Sequence, residues 1–96
     1  MSDKLELRPT VQWFAEQMEL KLRANDHKDG WSDERIQSLM KRLYGEAWEL
    51  SLVLERYQAD TIHESLDPRI IAEAADVANF AMMVADNARR RGGKAR

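Results

Sequence analysis

Apolar residues recur along this chain at intervals of three and four, and no stretch alternates β-branched with polar residues, so helices are expected and strands are not. The first helix is predicted over about 10–24. Pro9 suits its start, and Val11, Phe14, Met18 and Leu22 form its apolar stripe. The polar run Asn25-Asp26-His27-Lys28-Asp29-Gly30 then reads as a loop. A second helix is predicted over about 33–58, with Ser32 as N-cap and Asp33 and Glu34 in the first turn, where the helix dipole favours negative charge. Its main stripe is Ile36, Leu39, Met40, Leu43, Ala47, Leu50 and Leu54. The third, over about 68–91, opens with Asp67 as cap and Pro68 in the first turn. It closes with Arg89, Arg90 and Arg91 ahead of Gly92, and its stripe is Ile70, Ala74, Val77, Ala81 and Val84. Residues 92–96 read as a flexible basic tail.

This pattern predicts an all-α fold: a single domain over 1–96, built as an antiparallel bundle of three main helices. Tyr44, Trp48 and Leu52 lie off the main stripe of the second helix and give it an apolar second side. Three helices offer few places to bury such a side, and a chain of 96 residues buries a comparatively small share of its surface. A homo-oligomer, dimer or tetramer, is therefore expected to complete the bundle.

Composition narrows the chemistry. With 15 basic and 17 acidic residues the net charge is only -2, so no overall field recruits nucleic acid or an anionic membrane, and stable nucleic-acid binding is not expected. The absence of cysteine removes disulfides, thiolate nucleophiles and cysteine-containing zinc sites. No segment is apolar enough to span a bilayer, and residues 1–8 carry no apolar signal core, so the expected location is the cytoplasm.

Two pairs of acids stand out. Glu46 and Glu49 lie three apart on the second helix, and Glu73 and Asp76 lie three apart on the third. Such spacing is common among 17 acidic residues, and either pair alone reads as a solvated face. However, Glu46 is flanked on its helix by Leu43, Leu50 and Val53, and Glu73 by Ile70 and Val77, so these carboxylates border the core. A carboxylate in apolar surroundings needs a partner or a cation. No basic residue within a turn of either pair stands out as that partner. If the second and third helices form a hairpin centred near residue 61, positions summing to about 122 lie level. Glu49 then lies level with Glu73, and Glu46 with Asp76. Four hard oxygen donors at one height suit Mg²⁺, with Mn²⁺ as the alternative.

The segment Gly45-Glu46-Ala47-Trp48-Glu49-Leu50, followed 24 residues after Glu49 by Glu73-Ala74-Ala75-Asp76-Val77, resembles the ExxE and ExxD pair of the MazG-like all-α nucleoside triphosphate pyrophosphohydrolases. The likeness extends over about 10–90 and includes His27-Lys28-Asp29-Gly30-Trp31, similar to the family's loop ahead of the first metal helix. The resemblance implies Mg²⁺-dependent cleavage between the α- and β-phosphates of a nucleoside or deoxynucleoside triphosphate. Glu46, Glu49, Glu73 and Asp76 would be the catalytic metal ligands, and nucleotide-pool housecleaning the role. Members of this family often carry a further glutamate, implicated in activating water, directly before the first acid; here Gly45 stands in its place. A hairpin of the first two helices centred near residue 29 would bring Glu16 and Glu19 within one to two turns of Glu46 as candidates to compensate; the alternative is that they belong to a solvated face of the first helix.

Three more residues are candidates for substrate contact. Asn79, one turn beyond Asp76, resembles a substrate-binding residue of this fold class or is an ordinary polar helix position. Lys28 is a loop cation that can meet phosphate or stay solvated. Trp31 can stack on a base or plug the end of the bundle. Trp13, Trp48 and Tyr44 read as packing or subunit-interface residues. His27 and His63 lack partners at zinc spacing. The rival reading is a non-catalytic helical interaction module, with a nucleotide-binding family member of weakened activity between the two.

Overall fold

In the computed structural model, which describes residues 5–26, 30–59 and 67–94, every regular element among those residues is an α-helix: α1 (Pro9–Ala24), α2 (Ile36–Ala59) and α3 (Asp67–Lys94). Local signals account for most of these boundaries. Arg8 is extended, with ψ 147°, and Pro9 opens α1 where its missing N–H has no intrahelical partner to lose. Asn25 closes α1: its backbone N–H reaches the Leu22 carbonyl, and its side-chain Nδ2 donates to the Lys21 carbonyl at 2.9 Å. These bonds satisfy carbonyls that the helix end would otherwise leave without a partner.

Two boundaries differ from expectation. The second helix starts at Ile36 rather than at about 33, and Ser32 is not its cap. Residues 31–34 instead form a turn closed by Glu34 N–H on the Trp31 carbonyl. Asn87 on α3 donates to the Glu34 carbonyl at 2.8 Å, which holds this segment out of the helix. The third helix continues past Gly92 to Lys94 rather than ending at about 91. Glycine stops a helix readily where the backbone turns left-handed, and no described glycine has a positive φ.

Helix α3 occupies the centre. Both α2 and α1 pack against it, and no residue from 70 to 80 is exposed. The expected hairpin of α1 and α2 centred near residue 29 does not form: the two helices make no close backbone approach, and α1 lies antiparallel on α3, with Met18 beside Asn79 and Lys21 beside Asp76. The result is a three-helix arrangement with a cleft between α1 and α2, floored by α3.

The buried face of α2 is also rotated from its expected stripe. Ile36, Leu39, Leu43, Glu46, Leu50, Val53 and Tyr57 are buried or half-buried, whereas Met40, Ala47 and Leu54 are exposed. The alternation of three and four is kept, on the adjacent face. Leu39 and Ala75 are fully buried, and the small Ala75 side chain lets the α2 and α3 backbones come close. On the outer side of α2, Tyr44 and Trp48 are 64% and 62% exposed. No described helix is long and apolar enough to cross a membrane.

Candidate functional site

Glu46 comes from the inward face of α2, while Glu73 and Asp76 come from one side of α3, three residues apart. Antiparallel packing brings a carboxylate oxygen from each of them within 4.8 Å of one another. All three are half-buried. Burial, followed by the charges of Asp76, Glu73 and Glu49, pushes the Glu46 carboxyl above its ordinary value, and Lys21 partly offsets the rise. A group of carboxylates at this spacing is the oxygen-rich arrangement that hard divalent cations select, and no nitrogen or sulfur donor belongs to it.

The expectation that no basic residue near either pair partners its carboxylates does not hold for Glu73 and Asp76. Lys21 Nζ lies 3.4 Å from Asp76 Oδ1, and Arg69 Nε lies 3.5 Å from Glu73 Oε2. Arg69 is four residues before Glu73 on the same helix; Lys21 arrives from α1, through the α1–α3 packing that the predicted hairpin would not have produced. No basic side chain is paired with Glu46 in the same way among the described residues. Glu49 does not join the group. It is exposed and lines a separate hollow of about 130 Å³ with Leu52, Val53, Arg56 and Arg69. Glu49 is turned about 60° round α2 from Glu46, and because Glu46 is only half-buried that turn puts Glu49 on the exposed side.

A cavity of about 320 Å³ adjoins the group, and Glu46 and Asp76 form part of its wall. Lys21 and Arg42 supply cations to the lining, and Leu22, Phe80 and Met83 supply apolar surface. Arg42 is held in place twice, by an ion pair with Glu34 at 3.1 Å and by its guanidinium lying 4.6 Å from the Phe80 ring centre. This volume falls in the lower range of small-molecule pockets, and its lining sets three carboxylates, Asp26, Glu46 and Asp76, against two cations, so an anionic group would be accepted there only together with a cation.

Asn79 also lines this cavity and is only 4% exposed. Its Nδ2 donates to the Met18 carbonyl at 3.1 Å, which leaves Oδ1 buried without a hydrogen-bond partner. A buried acceptor left this way is costly, and a ligand donor would satisfy it. Trp31 lines the cavity, and its indole Nε1 donates to Asp86 at 3.0 Å. That bond, then the one from Arg89, holds the Asp86 carboxyl below its usual value, and Arg90 also donates to it at 3.1 Å.

The remaining sequence candidates lie elsewhere. Glu16 accepts a bond from Gln12, Glu19 pairs with Arg23, and both are exposed, away from the cavity lining. Their expected approach to Glu46 depended on the absent α1–α2 hairpin. Lys28, His27 and His63 lie outside the described residues. Sequence reasoning missed Lys21, Arg42 and Phe80. Lys21 lies one turn after Met18 on the α1 stripe, a signal that is legible only once α1 is known to pack on α3. Comparison of the chain with protein-family models, with curated proteins and with solved structures yields no match.

Proposed function

We infer that this chain is a divalent-cation-dependent hydrolase of nucleoside or deoxynucleoside triphosphates, of the MazG-like kind that its acidic spacing resembles, releasing the monophosphate and pyrophosphate. The observation that carries this reading is the meeting of Glu46, Glu73 and Asp76 at the wall of a cavity that also presents Lys21 and Arg42. Glu46, Glu73 and Asp76 would hold Mg²⁺ or Mn²⁺, with Glu49 completing the set through a turn of its exposed side chain or a bridging water. Bound there, the cation would neutralise phosphate oxygens and lower the pKa of an attacking water. Lys21 and Arg42 would meet the phosphates, Phe80 and Met83 the apolar face of the base, and the free Asn79 Oδ1 would accept from a sugar hydroxyl or a base N–H. With Gly45 in place of a water-activating acid, the activation of water would fall to a cation held by Glu46, Glu73 and Asp76. The exposed Tyr44 and Trp48 support self-association through the outer side of α2, as a dimer or tetramer. Housecleaning of the cytoplasmic nucleotide pool would follow from this chemistry.

A second reading is favoured by the ion pairs of Lys21 with Asp76 and Arg69 with Glu73: the acids are structural, and the apolar face of α2 docks a protein. Pyrophosphate release across a nucleotide panel, with and without Mg²⁺, separates the two. The enzyme requires Mg²⁺-dependent release that Glu46→Gln and Asp76→Asn abolish while the fold is kept. No release from any nucleotide, together with no cation binding, would leave the interaction module standing.

A further inference from the structure

Resting on the cation site just proposed, we propose that Lys21 is a built-in counter-ion that holds Asp76 until a divalent cation takes its place, and is then released to bind the anionic part of the ligand. Four observations lead there. Lys21 is the cavity residue that joins α1 to the acidic group, and its Nζ lies 3.4 Å from Asp76 Oδ1. This is longer than a charge-assisted hydrogen bond of about 2.8 Å, and both side chains keep some contact with solvent, so the pair is weak and easily exchanged. Lys21 already lines the cavity together with Asp76, so its flexible ammonium can turn from Asp76 to a ligand there without movement of α1. The α1 backbone has its own anchor one turn earlier, where Asn79 Nδ2 donates to the Met18 carbonyl. Asn79 also supplies the independent sign that a ligand belongs here, because its buried Oδ1 has no partner in the protein.

Binding should then be ordered. While Lys21 neutralises Asp76 it is a poor anion ligand. Once Asp76 coordinates a cation, Lys21 and the cation together present positive charge to the cavity. Linkage makes the effect reciprocal: an anion held by Lys21 must tighten the cation.

Calorimetric titration of the full chain tests this with Mn²⁺ alone and then with inorganic pyrophosphate at saturating Mn²⁺, comparing wild type with Lys21→Met. Removing the competitor should tighten Mn²⁺ by about two- to fivefold, the factor equivalent to an exposed ion pair, while pyrophosphate binding weakens. Lys21→Gln should move both constants in the same directions, and thermal unfolding of each variant shows whether α1 remains docked. If wild type binds Mn²⁺ but Lys21→Met binds it equally or less well, Lys21 is no competitor and this proposal fails while the cation site stands. If Mn²⁺ tightens but pyrophosphate affinity does not fall, the release to the anion is wrong. If wild type binds no Mn²⁺ at all, the underlying site fails and this proposal goes with it.

Discussion

Replacing Glu46 with glutamine should stabilise the protein when divalent cations are removed and destabilise it, relative to wild type, when they are abundant. Oxygens of Glu46, Glu73 and Asp76 lie within 4.8 Å of one another. At that separation each pair of unit charges repels by about 3.5 kcal/mol with an effective dielectric constant of ~20, and by about 0.9 kcal/mol in bulk water. Lys21 and Arg69 offset the charges on Asp76 and Glu73, and neither acid is sealed from solvent, so the net relief lies near the lower figure. Glutamine keeps the size and polarity of the side chain and loses the charge. A gain of about 1 kcal/mol would raise the melting temperature of a domain this size by about 4–8 °C. A cation at a hundred times its Kd stabilises the wild type by about 2.7 kcal/mol, and a variant that cannot bind it gains nothing. The two melting curves should therefore exchange order between a chelator and millimolar Mg²⁺. The assay is thermal unfolding followed by circular dichroism in each condition. A Glu46→Gln variant that melts well below wild type in chelator would show that Glu46 is held by structural bonds, and the cation argument would be refuted.

Leu39→Ala, at a fully buried position in a small core, should cost about 3 kcal/mol in a denaturant titration, within the usual 2–5 kcal/mol for such a truncation. Gly45→Ala should stabilise α2 by about 0.5–1 kcal/mol, because a Cβ there meets nothing within 4 Å and the glycine has no positive φ; a loss in the same titration would show a contact that the fold does not contain. Asp86 should make the bundle end acid-sensitive. Its folded carboxyl titrates below the unfolded one, so its stabilisation is complete above the ordinary aspartate value of about 3.8 and is lost as pH falls through the lower folded value. The difference in unfolding free energy between wild type and Asp86→Asn should accordingly be flat near neutrality and shrink in acid.

Much of the helical layout was legible in the residues themselves. Pro9 and the Asp67-Pro68 pair act on their own backbone neighbours, so the starts of α1 and α3 follow from local chemistry alone. The meeting of Glu46 with Glu73 and Asp76 was legible too, because antiparallel packing of consecutive helices and a short connection leave little freedom in level. Rotation about the helix axis is another matter. Helix α2 carries apolar residues on more than one side, and periodicity cannot say which side faces α3; packing against α3 buries Leu39, Leu43 and Val53 in whole or part, turns Met40 and Leu54 outward, and leaves Glu49 beside the acidic group rather than in it. The position of α1 was likewise decided only in three dimensions. Its stripe fits either neighbour, and packing on α3 rather than α2 is what opens the cavity and delivers Lys21 to Asp76. Local sequence governs bonds within a helix, whereas the choice between competing faces and partners depends on burial summed over the whole chain, which no single segment encodes.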